Sequence, residues 1–293
     1  MTRIYDLAAP ICIENGSVRL PKPKSAEINI KTIGHDLILS GMKIFRYLSN
    51  IIYFDFHMGT HFDVPAMFAY DSFNIDEIPL EFFIREVFIV NVEHGESEKP
   101  LKVTDISDKI DEELFKSRPK DKRPALILRT GYSKYWCVDN IRYMRFPGFS
   151  RDLIEYIAYK LEPPFIGIDA ISVDRTIEYR SLSLYPEVDD NFIEMLREQE
   201  YTPFLNHDVL LRNNILILEN MYLNDLPPNV TEGLLLAIPL FRYRFADTTR
   251  KPMIAAIPCR PVLITPIPQL KDAIAQLRML EKILSSMSSG RLR

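Results

Sequence analysis

Two of the five histidines fall four residues apart in the segment His57 to Pro65, HMGTHFDVP. Imidazoles and carboxylates gathered this closely bind metal, carry protons or satisfy one another, because they cannot be buried unpaired without cost. A zinc-protease helix would carry a glutamate directly after the first histidine. Met58 stands there instead, and Gly59 and Pro65 disfavour a helix. Read as extended chain, His57, Gly59, His61 and Asp63 share one parity and so one face. A straight strand would hold the two imidazoles roughly 13 Å apart, too far for one ion. The chain must therefore bend between them, and Gly59 is the residue that permits a bend. One histidine alone would be read as a hydrogen-bonded core residue. The cluster H-x-G-T-H-x-D-x-P is read as two imidazoles and a carboxylate offered to one metal.

The second half of the chain holds a complement. His207 precedes the apolar run VLL, and Glu219 ends the run ILILE. A glutamate after four aliphatic residues is costly to bury unless paired or ligated. Spacing alone leaves open whether Glu219 is a ligand or simply emerges at the end of a strand. All five candidates are nitrogen and oxygen donors, a set that suits Zn²⁺ or Mn²⁺, with iron possible.

Short aliphatic runs must position these residues. Ile4–Leu7, Val87–Val92, Ala125–Leu128, Phe165–Ile168, Ile215–Leu218 and Met253–Ile257 each read as a buried strand. Helices are fewer. Ser150 caps an expected helix to about Leu161, with Leu153, Ile154, Ile157, Ala158 and Leu161 at helical spacing. A second runs from about Gln269 to Ser286, where Leu270, Ile274, Leu277, Leu280 and Leu284 form one stripe. Residues 1–268 are thus expected as one domain and residues 269–293 as a helical extension.

Bulk composition narrows the class. The chain has 293 residues, 47% hydrophobic and 26% charged, with a net charge of −4, so it can bury a large core. The strongest basic run, KSRPKDKR at Lys116 to Arg123, is interrupted by Pro119 and Asp121 and reads as a solvated loop. Nucleic acid is not an expected partner. Neither GxGxxG nor GxxxxGK[ST] occurs, and no serine has a G-x-S-x-G setting. The N-terminal apolar stretch is too short for a signal peptide, and no run of about 18 apolar residues exists. Cys12, Cys137 and Cys259 are far apart and odd in number, which does not suggest a disulfide framework. A cytoplasmic protein without membrane contact is the expectation.

On these residues the sequence resembles the cyclase family, which includes bacterial kynurenine formamidases and isatin hydrolase. The family motif H-x-G-T-H-x-D-x-P-x-H stands here as HMGTHFDVPAM, His57 to Met67. In order follow LILRTGY (Leu126–Tyr132), FPGFS (Phe146–Ser150), IGIDAISVD (Ile166–Asp174) and HDVLLRNNILILEN (His207–Asn220). Asp6-Leu7 and the late KPMIAA fit the two ends. The resemblance implies an α/β fold, the swivelling β/β/α domain with a mixed sheet and few helices, in a homo-oligomer of two or four chains. It implies that His57, His61 and Asp63 bind one metal, that Asp63 reaches a second held by His207, and that Glu219 touches both. It also implies hydrolysis of an amide or lactam C–N bond of a small molecule, as an arylformamidase does; of the residues present, Glu219 is the expected catalytic one. Extra length relative to the small formamidases lies around residues 17–50, 133–145 and 175–204 and in the C-terminal helix.

One position departs from the motif. Its last histidine, the family's proton donor and acceptor, is Met67 here. A positioned acid contributes roughly 10²–10⁴-fold, and methionine cannot serve as one. Tyr70 and Asp71, better read as exposed loop residues, are the nearest substitutes, with Glu219 or a metal-bound water as others. The alternatives to an amide hydrolase are a weak or inactive metal-binding protein with a binding or structural role and, third, a lyase using the same metal. The family's substrate-stacking aromatic has no counterpart in the pattern, since the single tryptophan, Trp136, lies elsewhere.

Overall fold

A computed structural model describes residues 2–14, 17–18, 29–39, 42–53, 55–67, 74–92, 99–174, 204–242 and 254–266. The strands, in chain order, are β1 (Arg3–Asp6), β2 (Ile13–Glu14), β3 (Ser17–Val18), β4 (Asn29–Leu39), β5 (Met42–Tyr53), β6 (His61–Asp63), β7 (Ile84–Asn91), β8 (Ala125–Arg129), β9 (Phe165–Ile168), β10 (Leu216–Glu219), β11 (Glu232–Leu236), β12 (Ala256–Pro258) and β13 (Val262–Thr265). Nine of them form one sheet in the order β1-β13-β11-β7-β8-β9-β10-β6-β12. The centre, β7-β8-β9-β10, is parallel and the two flanks are antiparallel, so this is the mixed sheet with few helices that the resemblance implies.

Parallel strands are covered on both faces, which is why their sequences are aliphatic throughout rather than alternating. Val90, Leu126, Leu128, Ile166 and Ile217 face one core, shared with Leu153, Ile154, Ile157, Val209 and Leu210 of the helices. Phe62, Ile89, Ile127, Phe165, Leu218 and Leu263 face the other. Each such fully buried side chain contributes about 1.5–3 kcal/mol of apolar burial.

The expected strands are present with small changes at their ends: Phe165–Ile168 is unchanged, and Met253 lies outside the described residues. The long hairpin of β4 and β5, with a register shift at Leu37/Ile38, occupies much of the extra length around residues 17–50. Residues 269–286, and with them the expected C-terminal helix, lie outside the described residues, as do Tyr70 and Asp71.

Three expectations are corrected. Ser150 does not cap its helix with its side chain; the hydroxyl donates to Leu101 O at 2.7 Å. That helix is α only over Arg151–Tyr156 and widens to a π turn over Ile157–Leu161. Helical spacing of apolar residues does not separate the two, because one widened turn keeps the same face buried. Cys12 and Cys137 form a disulfide across 125 residues, with Cα atoms 6.1 Å apart. They meet because Trp136 Nε1 donates to Pro10 O at 2.9 Å, bringing the loop after Gly131 against the N-terminal segment. Disulfides persist in oxidising compartments, so these cysteines no longer speak for a reducing one. Among the described residues, no helix is long and apolar enough to cross a membrane.

Candidate metal centre

A strand of only three residues, β6, carries the site. β6 lies between β10 and β12, antiparallel to both, with Glu219 opposite His61 and Ile217 opposite Asp63. Phe62 anchors it by packing edge-to-face on Phe83 and Phe165, at 5.4 and 5.2 Å between ring centres. Since alternate side chains take opposite faces, driving Phe62 into one core turns His61 and Asp63 to the other. Leu218 does the same for Glu219. Three donors therefore share one patch: His61, Asp63 and Glu219 each offer a ligand atom, all within 4.8 Å of one another, and all three are buried.

His207 reaches the same place from the helix Leu205–Arg212, whose Val209, Leu210 and Leu211 dock on the core. Its Nε2 lies 3.3 Å from Asp63 Oδ2 and 3.3 Å from Glu219 Oε1. Its Nδ1 lies 2.6 Å from Asp174 Oδ2. Nothing local in the sequence marks Asp174 as its partner, because 33 residues separate them.

His57 is close but stands at the rim. Gly59 adopts φ +70° and turns the chain, so the two imidazole rings are 5.5 Å apart instead of the roughly 13 Å of a straight strand. His57 itself sits in that turn rather than in extended chain, which corrects the strand reading of the whole segment. Its Nε2 is 3.7 Å from Asp63 Oδ1, its Nδ1 is 2.9 Å from Asp55 Oδ1, and its side chain is 41% exposed. By contrast His61, Asp63 and His207 expose 2% or less. Thr60 fixes the turn from within: its hydroxyl donates to Asn220 O at 2.6 Å and accepts the Ala9 N–H at 2.7 Å.

The electrostatics are those of a buried cluster with opposed charges. Burial pushes the His61 imidazolium down, but the Asp63 and Glu219 carboxylates outweigh it and raise its pKa to about 9. His207 is raised for the same reasons, with burial opposing and Glu219 foremost among the groups that win. Burial pushes the Asp63 carboxyl up, yet the two histidines hold it well below the usual carboxylate range. Two imidazolium protons thus face three carboxylates, Asp63, Glu219 and Asp174. A divalent cation with neutral imidazoles carries the same charge, so exchanging two protons for one ion leaves the net charge unchanged. The donor atoms fit such an ion. His61 Nε2 and Asp63 Oδ1 are buried with no hydrogen-bond partner, though only 3.4 Å apart, and buried polar atoms are seldom left so.

Met67 closes the short turn Pro65–Met67, its N–H donating to Val64 O at 2.9 Å. Its partly buried side chain packs against the same core as the helix bearing His207. An apolar residue is at home there. Trp136 is buried and held by Pro10, so it takes no part in the patch.

Solved structures share this architecture. Isatin hydrolase A from Ralstonia solanacearum superposes with a TM-score of 0.60 at 18% identity, covering 90% of this chain and 92% of that one. Isatin hydrolase A from Labrenzia aggregata, bound to benzyl benzoate, gives 0.60 at 19%, covering 90% and 94%. A structure described as a potential metal-dependent hydrolase with cyclase activity gives 0.57 at 19%, covering 92% and 100%. Likeness at such identities is one of fold. No curated protein sequence matches the chain. The family described as "Putative cyclase" matches residues 5–175, which contain His57, His61 and Asp63 and end before His207 and Glu219. With more than half its length matched and the architecture shared, the chain belongs to the cyclase family.

Proposed function

We propose that the protein is a metal-dependent hydrolase that opens an amide or lactam C–N bond, in the manner of an arylformamidase, with one or two Zn²⁺ or Mn²⁺ ions. The observation that carries this reading is the pair of buried, unpartnered donor atoms, His61 Nε2 and Asp63 Oδ1, beside Glu219 and His207. His57, His61, Asp63, His207 and Glu219 would hold the ion. When bound, it supplies Lewis acidity toward a carbonyl oxygen and acidifies a water to a pKa of about 7. Glu219 Oε1 accepts the Val173 N–H at 3.0 Å, which aims Oε2 at His61, 3.8 Å away. From there Glu219 can take a proton from the attacking water and deliver it to the leaving nitrogen. His57, half exposed at the rim, marks the side from which a small molecule enters. Residues 1–268 form the hydrolase domain in this reading, and the chain works as a homo-oligomer.

Met67 favours a second reading, a metal-binding protein with weak or no catalysis, because the motif's proton carrier is replaced by an apolar side chain that packs in the core. One experiment separates the two. Purified protein is loaded with Zn²⁺ or Mn²⁺, dialysed, analysed for metal, and assayed on isatin and on N-formylkynurenine. One or two ions per chain, with turnover lost to a chelator and restored by the ion, is the expected result. Bound metal without turnover moves the conclusion to the second reading, and no retained metal overturns both.

A further inference from the structure

The turn Ser172–Asp174 touches both candidate ligands from the second half of the chain. Asp174, 1% exposed, places Oδ2 at 2.6 Å from His207 Nδ1 and 3.2 Å from His207 N, while Oδ1 accepts the Asn206 N–H at 3.0 Å. The adjacent Val173 N–H donates to Glu219 Oε1 at 3.0 Å. The turn is itself braced: Ser172 Oγ accepts the Asp174 N–H at 3.1 Å, and Val173 O accepts from Phe149 N at 2.9 Å and from Asn206 Nδ2 at 3.0 Å.

We infer that Asp174 is a positioning residue that fixes the tautomer and aim of His207 for metal binding, within the hydrolase reading above. A carboxylate can only accept. Facing Nδ1, it requires a proton there, which leaves the lone pair of the neutral ring on Nε2. Nε2 is the atom that lies 3.3 Å from both Asp63 and Glu219. The ring cannot flip without placing a carbon against Asp174 and losing the 2.6 Å contact. Without the carboxylate, the other tautomer would put a hydrogen on Nε2, where the ion must sit. Outer partners of this kind are worth about 10–100-fold in metal affinity. The same turn orients Glu219 through Val173 N, so one short loop sets the geometry of two of the five donors.

The test is a double-mutant cycle on Zn²⁺ affinity in the full chain, measured by competition with a chromophoric chelator. Asp174→Asn is expected to weaken binding about 10–100-fold. In a His207→Ala background the same substitution should add less than about twofold, because Asp174 acts through that ring. Equal losses in both backgrounds mean a general structural role and overturn the inference. A second readout needs no variant: in zinc-loaded wild type labelled with ¹⁵N-histidine, His207 should show a proton on Nδ1 and none on Nε2. A proton on Nε2 overturns the inference even where Asp174→Asn fails to fold. Wild type that binds no Zn²⁺ fails the metal reading itself, whereas full binding by Asp174→Asn fails only the role of Asp174.

Discussion

Stripped of metal, the protein should lose stability as pH rises from 6.5 to 9, and His61 should be a principal cause. Its pKa is raised from 6.5 to about 9 by Asp63 and Glu219 in spite of burial. A group whose pKa is higher in the folded chain stabilises the fold fully below its unfolded pKa and ceases to as pH passes the folded one. The shift is about 2.5 units, and each unit is worth about 1.36 kcal/mol, so His61 contributes about 3 kcal/mol at pH 6 and little above pH 9. Asp63 titrates far below this window and adds no slope within it. The perturbation is His61→Asn, whose amide can still donate to Gly59 O where Nδ1 lies at 2.9 Å, but which has no Nε2. At about 2 °C per kcal/mol for a chain of this size, the melting-temperature advantage of wild type over the variant should shrink by about 6 °C across the window. The assay is thermal unfolding with excess chelator in matched ionic strength. Metal reverses the sign. Its ligands must be neutral imidazoles, so at pH 6.5 an ion competes with a proton held about 2.5 units more tightly, an affinity about 160-fold below that at pH 9, where half the rings are already neutral. The stabilisation conferred by Zn²⁺ should therefore grow with pH while the stability of the stripped protein falls. A stripped wild type whose advantage over His61→Asn is flat or grows from pH 6.5 to 9 would refute the charge-balance argument.

Four further outcomes are expected. Asp63→Ala should lower metal content by elemental analysis far more than Met67→Ala, since Asp63 faces three histidines and Met67 faces the core. Met67→His should raise kcat/KM on amides by one to several powers of ten while barely changing hydrolysis of activated aryl esters, whose leaving groups need little protonation. If wild type already cleaves amides at full rate and the histidine adds nothing, another acid is in place. Gly59→Ala meets no side chain within 4 Å, so its cost is conformational, about 1 kcal/mol or more for φ +70°, and zinc affinity should fall with it; an unchanged affinity would show that the turn does not set the spacing of the imidazoles. Cys12→Ser/Cys137→Ser, or reduction, should destabilise the fold by about 2–4 kcal/mol, read as a lower denaturant midpoint, because the crosslink closes a long loop.

How much of this was legible in the sequence follows from how local each interaction is. The turn at Gly59 and the common face of His61 and Asp63 follow from neighbours within seven residues, and short-range geometry is what a one-dimensional pattern carries. The strand at Phe165–Ile168 could be read because four apolar residues between prolines and a charged turn leave few other solutions. Glu219 was undecided by spacing, and only its pairing opposite His61 across β10 and β6 shows which face it takes. His207 was visible as a candidate, but its helix was not, since Asn206 and Asp208 flank it and the stripe is short. Asp174 and the Cys12–Cys137 bond were hidden for one reason: each joins segments distant in sequence, and their meeting depends on packing that no local pattern records.

The disulfide also gives the molecule a covalent topology. The chain between Cys12 and Cys137 is a closed ring that includes His57, His61 and Asp63, while His207 and Glu219 lie on the tail beyond it. The ring is stitched into the sheet by strands it does not contain, for β6 lies between β10 and β12, both from the tail. A protease that cuts one peptide bond inside the ring would not release a fragment. The two pieces would remain joined through sulfur, running as one species on a gel until thiol is added. Held by that link and by the sheet, the severed donors would stay at high effective concentration relative to their partners on the tail. A singly nicked chain loaded with Zn²⁺ should accordingly retain the ion under oxidising conditions and release it when the nick and a reductant act together.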